Sequence, residues 1–136
     1  MILGYIMQTF LPYSDFVNIS KVLDYKRLGK QRVEARQILN TILNGGGWSN
    51  HPAIKMWRGY ENALILYSNI MIKEWILRGY RNTMEIINTG SVEFPLWLGD
   101  EALHASHRSN LLRKDSVWYS KFGWSESPDL PYIWPI

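Results

Sequence analysis

Apolar side chains in this chain return every three or four residues over long stretches, the spacing of helices with one buried face. The clearest run is Ala53, Met56/Trp57, Tyr60, Ala63/Leu64, Tyr67, Ile70/Met71 and Trp75. Pro52 behind Ser49-Asn50-His51 marks its start, and Arg78 with Gly79 marks its end, so the pattern predicts one long helix. A shorter helix is predicted after Pro12, with Ser14 or Asp15 as N-cap and Phe16, Val17, Ile19 and Val22 along it. The next begins near Ser20 or Val22 and continues to Asn44, where Gly45-Gly46-Gly47 ends it. Residues 81–95 read as irregular, with a turn at Asn88-Thr89-Gly90. A further helix is expected from about Asp100 to Lys114, and a short aromatic one over 115–122.

The ends of the chain follow no period. The first ten residues are apolar, with Gly4 among them. In residues 126–136, Pro128, Pro131 and Pro135 alternate with Leu130, Tyr132 and Trp134, which predicts an extended tail laid across the helices. The expected architecture is all-α: one compact domain over residues 1–136, with four to five helices and that tail.

Two helices are polar where they should be buried. On a wheel of about 100° per residue, Leu28, Ala35, Ile38, Leu39 and Ile42 share the core side of the second helix. Asp24, Arg27, Gln31 and Glu34 fall on that same side, while Lys26, Lys30, Arg32, Arg36 and Gln37 point elsewhere. Buried polar groups must be paired, or else line a cavity. The row is therefore either a closed internal network, with Arg27 pairing Asp24 or Glu34, or a pocket floor offering a carboxylate, a guanidinium and an amide. In the later helix, His104, His107 and Arg108 lie within reach of one site. Together with His51 these are all the histidines in the chain. Phosphate contacts by the histidines, Arg108, Ser106, Ser109 and Asn110 are one reading; caps and core hydrogen bonds are another. A metal site is not expected, because no H-E-x-x-H or carboxylate-flanked pattern accompanies the histidines.

Composition narrows the class. The chain has 136 residues, 46% hydrophobic and 20% charged, with 7 Trp and 8 Tyr, which excludes a disordered tail. It has no cysteine, so disulfide scaffolds and thiolate metal sites are excluded, and an intracellular setting without secretion is expected. No apolar stretch is long enough to span a bilayer, and residues 1–8 lack the basic start and cleavage site of a signal peptide. The net charge of +3 hides two basic segments. Residues 21–37 carry six Lys or Arg against Asp24 and Glu34, and residues 102–121 carry Arg108, Arg113, Lys114 and Lys121 against Asp115. Brought together in space they would form a polyanion-binding face; kept apart they are two solvated helix faces. Trp57, Tyr60, Tyr67 and Trp75 follow the core stripe, whereas Trp48, Trp118, Tyr119 and Trp124, if exposed, could stack on bases.

Three stretches carry a resemblance: Asp24-Tyr25-Lys26-Arg27-Leu28-Gly29-Lys30; His51-Pro52 with Gly59-Tyr60 and Leu77-Arg78-Gly79-Tyr80; and His104-Ala105-Ser106 followed by Trp118-Tyr119-Ser120-Lys121-Phe122-Gly123. In this order and spacing they resemble the pyrimidine-dimer DNA glycosylases of the phage endonuclease V type, in a branch with altered catalytic positions. The first stretch is similar to that family's acidic-Tyr-Arg-Glu-Leu-Pro-Arg segment, the last to its Trp-Tyr-Lys-Tyr-Tyr-Gly segment. The resemblance implies a helical monomer that grips kinked double-stranded DNA, flips a nucleotide out and cleaves its N-glycosidic bond. In the family an imine forms with the N-terminal amine, and a glutamate stabilises the cationic sugar and assists strand cleavage. No cofactor is implied.

The chain departs from that pattern at both chemical positions. The family's glutamate aligns with Arg27, which leaves Glu34, or else Asp24, to supply the carboxylate. The family's amine belongs to a Thr exposed by loss of Met, whereas Ile2 follows Met1 here and the matching segment begins nearer Met7-Gln8-Thr9. The expected catalytic set is Glu34, Arg27 and Asp24. The expected DNA contacts are Lys30, Gln31, His51, Trp57, Arg58, Tyr60, His104, His107, Arg108, Asn110, Arg113 and Lys114. Two other functions fit the same residues: a nucleic-acid-binding module without chemistry, and a glycosidase for free nucleosides or nucleotides.

Overall fold

The computed structural model describes residues 7–136; the expectations placed on residues 1–6, including the start of the chain, lie outside them. Six α-helices and one 3-10 turn occur among the described residues, and no strand. They are α1 (Phe16–Val22), α2 (Tyr25–Asn44), α3 (Pro52–Lys55), α4 (Glu61–Leu77), α5 (Glu101–Lys114) and α6 (Ser116–Tyr119), with the 3-10 turn at Ser120–Phe122. The all-α prediction holds, and so do the starts of α1 and α5. Asp15 and Asp100 cap them, accepting from the Asn18 and Ala102 N–H groups at 3.0 and 3.1 Å. α2 stops at Gly45, whose φ of 79° only glycine adopts easily.

Two expectations fail: the second helix begins at Tyr25, past Ser20 and Val22, which belong to α1, and the long helix is broken. The single long helix over 52–78 is two, α3 and α4, separated by a turn over 56–60. Gly59 takes φ +87°, and its N–H is held by the Glu61 carboxylate at 2.9 Å. The apolar spacing continues across the break because Trp57 and Ala63 both enter the same core. Periodicity reports which side is buried and is blind to one turn of lost helix.

α2 and α4 form the main helix pair, and α1 packs across α4. Leu28, Ala35 and Ile38 of α2 meet Leu64, Tyr67 and Met71 of α4 in a core completed by Phe16, Ile19, Trp57, Leu111 and Tyr119. Gly29 allows the close approach of the pair: a Cβ there would stand 3.0 Å from the Trp75 ring. Arg32 lies over that ring at 4.4 Å and reaches Asn82, while Arg36 bonds Ser68, Asn69 and the Glu85 carbonyl. These two arginines fasten the irregular segment 81–88 to the helix pair.

Two extended segments complete the molecule. Residues 7–11 are buried from end to end, and residues 126–136 run as a strap along α5. The strap is tied by Arg108 to Glu126 at 2.8 Å and by Ser109 Oγ to the Ser127 carbonyl at 2.6 Å. Arg113 bonds the Pro128 carbonyl, and the Leu130 and Ile133 N–H groups donate to Ser109 and Ser106. Prolines keep the strap extended, so its polar backbone finds side-chain partners in place of a helix ladder.

Candidate active site

The polar row of α2 meets backbone. The buried segment 7–11 has no strand beside it, so its N–H and C=O groups must find other partners. Glu34 Oε1 accepts from the Gln8 N–H at 3.2 Å, and Gln31 Oε1 accepts from the Phe10 N–H at 2.9 Å. Gln31 Nε2 donates back to the Gln8 carbonyl at 3.1 Å, and the Tyr67 hydroxyl donates to the Phe10 carbonyl. From α5, His107 Nδ1 accepts from the Leu11 N–H at 2.9 Å, and His104 Nδ1 donates to the Leu11 carbonyl at 2.7 Å. Arg108 reaches the Pro12 carbonyl and the Glu101 and Glu126 carboxylates. The mismatch noted in the sequence is thus mostly the lining of a slot for an extended chain.

This placement corrects several expectations. His104, His107 and Gln31 are buried and bonded to backbone, so they do not share a surface site for a sugar-phosphate. Desolvation drops His107 to about 3, so its ring stays neutral, stacked on Tyr132 with centroids 4.6 Å apart. Arg108, Ser106 and Ser109 fasten the strap. Asn110 accepts from Arg113 and donates to the Gln8 side chain. Trp57 is fully buried, its Nε1 on Thr9 Oγ1 at 3.0 Å. Tyr60 sits half-buried ahead of α4, and Arg58 is exposed with its guanidinium on the Ser49 carbonyl. His51 caps α3 through Nδ1, between Trp48 and Trp134, and desolvation lowers its pKa.

Of the stacking candidates, Trp48 is exposed and the other three are held within the fold. Tyr119 is buried, and its hydroxyl donates to the Asp24 carboxylate while accepting the Asp24 N–H at 3.0 Å. Trp118 Nε1 bonds the Val22 carbonyl, and Trp124 Nε1 bonds the Tyr13 hydroxyl. Asp24 therefore anchors the join between α1 and α2, with Arg27 on it at 3.2 Å.

What remains open is Glu34. Beside it lies a groove of about 430 Å³, lined by Tyr25, Lys26, Gly29, Lys30, Val33, Glu34, Gln37 and Trp75. Lys26 and Lys30, expected to point away, line it. Glu34 is buried and forms no ion pair among the described residues. Desolvation raises its pKa against the pull of the Gln8 N–H and of the Lys30 and Lys114 charges. Lys114, at the end of α5, has its own pKa lowered by desolvation and by the charges of Arg27, Arg113 and Lys30. Charges from both basic segments, Lys30 from one and Lys114 from the other, therefore act on one buried carboxylate. No group of three or more His, Cys, Asp or Glu suited to a metal occurs among the described residues. No helix there is long and apolar enough to cross a membrane.

Sequence reasoning missed Tyr25, Lys26, Gln37 and Trp75 as groove walls. A glycine inside a 20-residue helix was the available signal, since an unforced Gly there costs about 1 kcal/mol. Among known proteins, the model of the pyrimidine dimer DNA glycosylase family matches residues 7–88. No curated protein and no solved structure matches. The family match begins at Met7, takes in Glu34 and the groove, and ends before α5 and the strap.

Proposed function

Since the chain belongs to the pyrimidine dimer DNA glycosylase family, we propose that it removes a damaged or modified base from double-stranded DNA, with Glu34 as the carboxylate that meets the reacting sugar. The observation that carries this reading is the buried Glu34 carboxylate, in no ion pair among the described residues, at the edge of a groove that Lys26 and Lys30 line and under the charge of Lys114. The groove's volume, about 430 Å³, lies within the range of small-ligand sites, so a nucleotide turned out of the duplex can enter it. Lys30, Lys114 and Arg27 supply the positive field that its phosphates need.

Cleavage of the bond between C1′ and the base leaves positive charge on the sugar while the bonding electrons depart with the base. A desolvated carboxylate stabilises that charge far better than a solvated one. Overall, a nucleophile bonds C1′, the leaving nitrogen gains a proton, and water restores the free abasic sugar.

The test is incubation with ultraviolet-irradiated and base-modified duplexes, scored for abasic sites. Wild type is expected to release base from at least one of them, and Glu34→Gln to be slower by about 100-fold or more. If Glu34→Gln matches wild type, the site assignment is lost; if wild type leaves every duplex intact, so is the activity. A second reading, binding without chemistry, follows from the resemblance, which implies Arg27 where the family has its glutamate. That reading expects duplex affinity with no base release.

A further inference from the structure

We propose that the groove beside Glu34 selects a base whose ring is still aromatic, with Tyr25 as the surface on which that base stacks. The proposal rests on the excision reading above and deepens it, from a damaged or modified base to a planar one. The groove is built on two neighbouring rows of α2, each stepping one turn at a time: Tyr25, Gly29, Val33 and Gln37 in one, Lys26, Lys30 and Glu34 in the other. The first row offers an exposed ring, then a position without a side chain, then an exposed apolar group and an amide. The second offers two exposed ammonium groups and then the buried carboxylate. A nucleotide laid over both has its base on the first row, its phosphates beside Lys26 and Lys30, and its sugar toward Glu34.

Tyr25 suits stacking because its ring is supported from behind and open in front. It stacks on Trp75, with centroids 5.4 Å apart and planes 22° from parallel, and its centroid lies 4.9 Å from that of Tyr80. Trp75 is fixed in turn by Arg32 over its ring and by the Nε1 bond to the Arg81 carbonyl. Tyr25 itself stays 52% exposed on the groove wall. A ring held in this way loses little freedom when a base settles on it. Other exposed rings stand elsewhere. Phe94 lines a second groove, which has Asp15 and no lysine or arginine, and Trp48 stands against His51. Stacking reads flatness, whatever the pattern of donors and acceptors on the base edge. A pyrimidine saturated at C5–C6, as in a cyclobutane dimer, has a puckered ring and loses the π contact, while a base altered outside its ring keeps it.

The test is the affinity of the full chain for a duplex carrying one extrahelical thymine, set against the same duplex with 5,6-dihydrothymine at that position. The two bases share every hydrogen-bonding group and differ in the saturated bond. Wild type is expected to bind the thymine duplex about 10-fold more tightly. Tyr25→Leu, which keeps apolar cover on Trp75 and offers no ring, should bind both alike, and Tyr25→Phe should restore the preference. Equal affinity in wild type, no binding to either duplex, or a preference that survives Tyr25→Leu or is lost in Tyr25→Phe overturns the proposal. None of these touches base release, which is scored separately on the damaged duplexes. If wild type shows the preference yet releases base from no duplex, the excision reading falls and the stack stands.

Discussion

Two buried titratable residues at the centre of the molecule push its pH behaviour in opposite directions. His107 accepts the Leu11 N–H through Nδ1, and burial lowers its pKa to about 3 from the ordinary value of 6.5. The unfolded chain takes up this proton below about pH 6.5 and the folded one does not, so stability falls as pH drops from there toward 3. Thermal melts across that window should show the loss, and His107→Asn, which keeps an acceptor and cannot ionise, should flatten it. Glu34 behaves in the reverse sense. Its raised pKa means that the folded state holds the proton more tightly, so ionising Glu34 costs stability as pH rises through its folded value. Glu34→Gln should therefore melt no lower than wild type at neutral pH while losing base release. Loss of activity without loss of stability separates a working carboxylate from a structural one. The acid limb of the wild-type rate should lie above the ordinary carboxylate value of about 4.3.

Among the elements, the α2–α4 pair carries the groove, and Gly29 sets its depth. Ala there would gain about 1 kcal/mol in helix propensity. Its Cβ would also stand 3.0 Å from a Trp75 ring that cannot easily retreat. Trp75 is held by Arg32 on its face, by Tyr25 and Tyr80 alongside, and by an Nε1 bond to the Arg81 carbonyl at 2.8 Å. Gly29→Ala should thus lower stability by about 1 kcal/mol despite its better propensity, as denaturant melts would measure. The same scale shows why one helix was expected where two exist. Apolar spacing runs unbroken from Ala53 to Trp75 because both halves face one core, while the break depends on Gly59 turning to φ +87°. The strap was legible as extended from its prolines. Its fastening by Ser106, Ser109, Arg108 and Arg113 was not, since such side chains suit a phosphate as well as a carbonyl.

Across the whole molecule, the decisive fact is that charges from α2 and from the end of α5 act on one buried carboxylate while His104 and His107 are spent on the Leu11 backbone. Duplex affinity should fall steeply as salt rises, because each phosphate contact releases counterions. Lys30→Ala should reduce the slope of log affinity against log salt by about one, where Arg108→Ala should mainly lower the melting temperature. Binding titrations at several salt concentrations, run beside thermal melts, separate the two. An Arg108→Ala protein that melts as wild type does but binds poorly would return that residue to the DNA surface.

Local chemistry in the sequence was enough to determine α1 and α5, the body of α2, its stop at Gly45 and the inward row of polar groups on it. Each follows from spacing or from one residue's backbone preference, and these act over a few neighbours along the chain. What the row serves was decided only in three dimensions. An extended segment such as 7–11 has no period to read, yet its unpaired amides and carbonyls claimed Gln31, His104 and His107 and one oxygen of Glu34. That Glu34 also borders a groove lined by Lys26 and Lys30 and feels the charge of Lys114 depends on two helices about eighty residues apart in sequence lying near each other in space. Burial and electrostatic fields are sums over such neighbours, and a linear pattern does not contain them.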